Sequence, residues 1–137
     1  MVLLLNAASL CMLLAASAAA PAPAQPWELV GEAGWVKMVY VEPTRIKDTK
    51  LIAQIVNELI DRFGTAHPLQ FDFFDDRSQT PTTKPYQTAQ RQHHRAKFNI
   101  NPITNLRRFV WIDLVPFDPN QPMMVKPRET EEKLPSP

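Results

Sequence analysis

Cysteine is almost absent from this chain of 137 residues, since Cys11 is the only one. It lies in an uncharged apolar run, residues 2–20, that is typical of an export signal. The chain that remains after removal of this run has no thiol, which excludes internal disulfide bonds, cysteine catalysis and cysteine-type zinc sites. Since small secreted eukaryotic domains are often held by disulfides, a bacterial periplasmic or extracellular protein fits this absence best.

Glycine is also scarce, and the positive and negative charges nearly balance. With only three glycines, the sequence contains neither a P-loop nor the Gly-rich dinucleotide-binding motif, so no cofactor is expected. Basic and acidic residues number 15 and 14, so a strong field for nucleic acid or anionic lipid is missing. After the apolar run only Ser78 and Ser136 remain as serines, and neither lies between nucleophile-elbow glycines, which disfavours serine catalysis.

Residues 1–24 are predicted to be a cleaved signal peptide. Ala22 and Ala24 supply the small residues that signal peptidase requires, which places cleavage before Gln25. The protein would then be secreted or periplasmic, with no membrane contact after cleavage. Because roughly 20 apolar residues are enough to span a bilayer, an uncleaved N-terminal membrane anchor is the alternative.

The remaining chain predicts a single α+β domain over residues 34–115. Residues 48–63 carry apolar side chains at steps of three and four, as a helix with one buried stripe does. Aromatic, β-branched and alternating patterns predict strands at residues 34–41, 69–74, 93–101 and 107–115. The β-α-β-β-β order predicts a small mixed or antiparallel four-stranded sheet with one helix packed on one face.

The two flanking segments are predicted to lie outside this sheet. Residues 25–33 are interpreted as a leader into the domain. Residues 116–137 are interpreted as a flexible tail, because this Pro-rich, charged stretch offers too little apolar surface to offset the entropy of ordering it. The sheet face opposite the helix is only partly polar and is expected to need cover or a partner.

One candidate site combines acidic residues with histidine. Asp72, Asp75 and Asp76 end the second predicted strand, and His93 and His94 begin the third. Carboxylate and imidazole groups can ligate a divalent metal or share a proton, and Asp75, Asp76 and His94 form the candidate metal set. Adjacent residues of a strand point to opposite faces, so at most one histidine can join a given site. This cluster supports one alternative, a small metal-dependent or acid–base hydrolytic enzyme.

A second candidate site is basic. Arg95, Lys97, Arg107 and Arg108 lie near the turn of the hairpin formed by the last two predicted strands, where they could contact an anion or an acidic partner. No catalytic spacing is recognised, so no catalytic residue is assigned. The sequence therefore favours a non-enzymatic exported binding or interaction module. Its partner would be an unknown protein or a small anionic ligand of the cell envelope.

Overall fold

The computed structural model describes residues 25–136, so the predicted signal segment lies outside the described residues. None of the helices in the described range is long and apolar enough to cross a membrane. Within that range the chain forms six strands and two helices. In chain order they are β1 (Trp27–Ala33), β2 (Val36–Val41), α1 (Thr49–Phe63), β3 (Leu69–Phe74), α2 (Thr88–Arg91), β4 (His94–Asn101), β5 (Leu106–Asp118) and β6 (Gln121–Glu131).

The fold is α+β with a mixed sheet, but the predicted number of four strands was wrong, because the sheet has six. The two additional strands are β1 and β6, which lie in the segments interpreted as a leader and a tail. β1 reaches β2 through a tight turn in which Gly34 has a φ of 60°. Pro122 and Pro127 made β6 hard to recognise, since proline lacks the backbone N–H and is confined to edge strands. β6 is such an edge strand.

The strands lie in the sheet in their order along the chain, β1-β2-β3-β4-β5-β6. Only β2 and β3 are parallel, and α1 forms the crossover between them. The remaining neighbours are antiparallel, including the β4–β5 hairpin. This topology follows from connection length, because a parallel pair needs a long crossover whereas antiparallel neighbours can be joined by a short turn.

The helix α1 begins and ends where its sequence indicates. The Asp48 carboxylate accepts hydrogen bonds from the backbone N–H groups of Lys50 and Leu51, at 3.1 and 3.2 Å. Gly64 ends the helix with a φ of 76°, which a residue with a Cβ rarely adopts. The apolar stripe is buried against the sheet, with Leu51, Ile52, Ala53, Ile55, Val56 and Leu59 inside.

The sheet has two differently covered faces. The face under α1, called the helix face, carries the main apolar core, with Val39, Val41, Phe71, Phe73, Phe98 and Phe109 among its members. The opposite face, called the second face, carries Met38, Asp72, Phe74 and Val110, all of them almost fully buried. The prediction that this face needs cover is met by the loop of residues 75–93, which packs across it.

Three contacts of different kinds attach this loop to the sheet. Gly31 of β1 is so close to the loop that an added Cβ would lie 2.4 Å from Thr82 Cα. Arg77 makes a paired contact with the Glu28 carboxylate, at 2.6 and 3.1 Å. The third contact joins the loop to Asp72 at the centre of the second face, and it involves the predicted Asp–His cluster.

Candidate functional site

The structure divides the predicted Asp–His cluster into two separate groups. His93 Nδ1 lies 2.8 Å from the Asp75 carboxylate, and its Nε2 lies 3.9 Å from Asp76. His94 instead points to the other side, with Nε2 at 3.5 Å from Asp72. In an extended chain, the side chains of adjacent residues point to opposite sides. The candidate metal set of Asp75, Asp76 and His94 is therefore not assembled around one point.

A β-bulge decides where His94 lies. Strict alternation predicts that His94 shares a face with Ala96 and Phe98, which are on the helix face. The register between β3 and β4 shifts at Phe73 and Phe74, so that His94 pairs with Phe74 on the second face. Its ring stacks on the Phe74 ring with centroids 4.9 Å apart. One extra residue in a strand reverses the direction of every side chain beyond it, which sequence alternation cannot reveal.

Asp72 is the centre of a buried polar network. The Tyr86 hydroxyl donates a hydrogen bond to one carboxylate oxygen, and the Gln70 amide donates to the other at 2.8 Å. Burial by itself raises the pKa of Asp72, but the neighbouring His94 and the hydrogen bonds from Tyr86 and Gln70 outweigh it, so the pKa lies below its usual value. Burial and the charge of Asp72 raise the pKa of Tyr86, which keeps the hydroxyl protonated as a donor.

This network has the character of a structural anchor for the loop. Asp72 is 1% exposed, and both of its oxygens are occupied by protein groups. His94 Nε2 is buried and has no hydrogen-bond partner in the described part of the chain. The Phe74, Tyr86 and His94 rings pack against one another, with centroids 4.9 to 5.8 Å apart. The Asp72 carboxylate is therefore almost fully enclosed by protein groups.

The outer carboxylates are also engaged within the protein. Asp75 accepts from Arg95 Nε at 2.7 Å in addition to its contact with His93. Asp76 accepts from the Ser78 backbone N–H at 2.9 Å and from the Ser78 hydroxyl at 2.7 Å. These bonds from Ser78 lower the pKa of Asp76. Across residues 25–136 no group of three or more histidine, cysteine or acidic side chains is placed to hold a metal ion.

Most of the predicted basic surface is neutralised by acidic residues. Arg95 binds Asp75, and Lys97 Nζ lies 2.8 Å from Glu129. Arg108 lies 3.2 Å from the carboxylate of Glu131 and 3.8 Å from that of Glu129. The ion pair with Lys97 is the main cause that lowers the pKa of Glu129. Both glutamates belong to β6, so a strand that was not predicted supplies the counter-charges of Lys97 and Arg108.

Arg107 differs from the other three basic residues. Its neighbours on β5 alternate between faces, and pairing with Ile100 places Arg107 on the helix face, whereas Arg108 lies on the second face. Its guanidinium lies 5.1 Å from the centre of the Phe98 ring. Among residues 25–136 it forms no ion pair. Arg107 is thus the one member of the predicted basic set without an ion-pair partner in the described part of the chain.

A cavity of about 540 Å³ lies beside Arg107 on the helix face. Its apolar floor is formed by Phe98 and Phe109, and α1 contributes Asn57 to its wall. The C-terminal segment, residues 132–136, closes the remaining side. The residues that line the cavity are Asn57, Phe98, Arg107, Phe109, Glu131, Glu132, Lys133, Leu134, Pro135 and Ser136.

The C-terminal segment is held over the sheet by specific contacts. The Glu132 backbone N–H donates to the Phe109 carbonyl at 3.1 Å, and the Glu132 carboxylate accepts from the Trp111 indole N–H. Leu134 packs against the main core. Six strands are too many for one helix to cover, and this segment covers part of the helix face that α1 leaves open.

The sequence did not indicate this cavity, because the walls that close it come from the stretch interpreted as a tail. The available signals were weak: three consecutive apolar residues at 123–125 between two prolines, and a lone leucine at position 134. Comparison of the chain with protein-family models, with curated proteins and with solved structures finds no match.

Proposed function

We propose that this protein is an exported, non-enzymatic binding module that holds a small anionic ligand in the cavity beside Arg107. The observation that carries the proposal is the combination, in one cavity, of an aromatic floor and a cation that has no ion-pair partner among residues 25–136. A volume of about 540 Å³ falls in the range of small-molecule sites, which are mostly apolar with a few well-placed polar groups.

The charges around the cavity favour an anion. Glu131 and Glu132 also line it, but the Glu131 carboxylate is paired with Arg108 on the second face, and the Glu132 carboxylate accepts a hydrogen bond from the Trp111 indole. Arg107 and Lys133 remain as cations at the rim. An arginine fork matches a carboxylate in geometry and keeps its charge at any physiological pH. The ligand class that fits is a carboxylate attached to an apolar body small enough for the cavity that Phe98 and Phe109 line.

The enzyme alternative has less support. Its candidate residues are separated into two groups, and the carboxylates of both groups are occupied by hydrogen bonds from protein groups. General acid–base catalysis needs a group within hydrogen-bond reach of a substrate proton. Asp72 is too deeply buried for such contact.

A matched pair of probes and a matched pair of variants test the proposal. 1-Naphthoate carries the carboxylate on an aromatic body, and 1-naphthamide has the same shape without the charge. Calorimetric titration should show saturable binding of naphthoate that is weakened about tenfold or more by Arg107→Gln, because hydrogen bonds to charged groups contribute roughly 1.5–3 kcal/mol. Arg108→Gln, next in sequence but on the other face, should leave the affinity within about twofold.

Trp111 provides a second readout. Its indole contacts the segment that closes the cavity, so ligand entry should change its fluorescence, and Trp111→Phe should abolish that change. Absence of saturable naphthoate binding, equally tight binding of naphthamide, or equal loss of affinity in the Arg107 and Arg108 variants would contradict the proposed site.

A further inference from the structure

The chain enters the sheet immediately after the predicted cleavage point. Trp27, the first residue of β1, pairs with Val41, and the Glu42 backbone N–H donates to the Pro26 carbonyl at 2.8 Å. The antiparallel ladder between β1 and β2 therefore reaches Pro26, the residue directly after Gln25. Cleavage before Gln25 would leave every strand residue of the fold in place.

Gln25 itself is exposed and precedes the first strand. After cleavage it would carry a free amino group, and because the residue lies at the surface, both this amine and the side chain could rotate. The pKa of an α-amino group lies not far above neutral pH, so part of it is uncharged and can act as a nucleophile. The Gln25 amide carbon, Cδ, lies at the position along the side chain that closes a five-membered ring with the amine.

We infer that Gln25 is converted to an N-terminal pyroglutamate in the exported protein. The α-amino nitrogen attacks Cδ, the new N–Cδ bond closes the lactam, and the bond between Cδ and the side-chain nitrogen breaks. The leaving nitrogen takes up the proton that the amine loses and departs as ammonia, so nothing is oxidised or reduced and no co-reactant is needed. This inference rests on the export stated in the proposed function, because the reacting amine exists only after cleavage before Gln25.

The modification would protect the end of an edge strand. β1 lies at one edge of the sheet, and Trp27, two residues after Gln25, packs against the main core. Enzymes that shorten a chain from its free amino terminus need that amine, which the lactam no longer offers. The lactam also removes the terminal positive charge, as acetylation of a terminus does. The exported protein would therefore keep Pro26 and Trp27 behind a neutral, blocked end.

Mass spectrometry of the exported protein, produced from the full chain with its own N-terminal segment, tests this inference. The expected mass is that of residues 25–137 less one ammonia, and stepwise degradation from the amino terminus should give no sequence, because the amine is blocked. Gln25→Asn is the matched control, since its amide is one methylene shorter and the same attack would need a strained four-membered ring. Pro26 has no backbone N–H that could attack this amide instead, so the variant should keep its full mass and be sequenced normally.

The possible failures are distinguishable from one another. A product that begins at Gln25 and still holds its ammonia after prolonged incubation overturns the inference and leaves export intact. A product that begins at any other residue overturns both the inference and the predicted cleavage point. Equal loss of ammonia in the Gln25→Asn variant would place the loss at an internal amide and also overturn the inference. Gln25 is not among the residues that line the cavity, so naphthoate binding tests the ligand site separately.

Discussion

The two faces of the sheet are closed by different kinds of interaction. On the helix face, α1 buries an apolar stripe against aromatic and β-branched residues of the strands. On the second face, an irregular loop is held by an ion pair, a close approach at Gly31 and the hydrogen bonds of Asp72. Apolar burial depends on area and tolerates small shifts, whereas the polar network depends on a few directional bonds. The helix face should therefore dominate the free energy of unfolding, and the second face should control the position of the loop.

The largest expected effect is on the helix face. Ile55 is fully buried, so Ile55→Ala should lower the free energy of unfolding by about 2–5 kcal/mol, through lost transfer energy and the cavity left behind. Glu58, exposed on the opposite side of α1, accepts only an exposed hydrogen bond from Gln54 at 3.2 Å. Glu58→Ala should cost under about 0.5 kcal/mol. Urea unfolding of both variants compares them, and equal costs would mean that α1 does not provide the main core.

A smaller effect is expected on the second face. Tyr86→Phe removes the donor to Asp72 but keeps the ring that packs on Phe74 and His94. The loss should be about 1–3 kcal/mol, since a buried acceptor is left with one fewer donor. Hydrogen exchange should increase within residues 75–93 while α1 keeps its protection. If exchange rose equally in α1 and in the loop, the two faces would not be separable units.

The smallest expected effect is on how the free energy of unfolding depends on pH. Burial of Asp72 opposes the His94 contact and the hydrogen bonds that favour its charged form. The net pKa of this carboxyl is lowered in the folded protein, so its ionisation stabilises the fold above the unfolded value of about 3.9. This contribution should be lost as the pH falls through the lower folded pKa. Unfolding measured from about pH 6 downward should show a steeper acid loss for wild type than for Asp72→Asn. If the stability of wild type and of Asp72→Asn fell in parallel with pH, other carboxylates would be responsible for the acid sensitivity.

Several features of the fold could be predicted from local patterns. The helix boundaries followed from Asp48, the apolar stripe and Gly64, because capping and burial on one face act over a few residues. Connection length permitted the parallel crossover and indicated the antiparallel hairpin. The strand count failed where local signals conflict: prolines in β6 argue against a strand, and only the position at the sheet edge makes them acceptable.

The candidate sites show the same division. That His93 and His94 belong to different sites was predictable from alternation, but a bulge in β4 reversed the expected face of His94. Four basic residues were recognisable as a group, yet their sequence spacing could not show that Glu129 and Glu131 neutralise Lys97 and Arg108. Ion pairs between residues more than 20 positions apart depend on strand order, which local pattern does not encode.

The sequence by itself determined the α+β class, the amphipathic helix, the strands at the sheet centre and the absence of a P-loop motif. Each of these depends on composition or on periodicity within one segment. The tertiary structure alone decided which charges are neutralised, that Arg107 is left beside a cavity, and that the C-terminal segment closes it. It also decided which residues of β5 and β6 share a face, through the register of the two strands. The physical reason is that these features arise from pairs of distant residues brought together by folding, where a shift of one position would exchange the two faces.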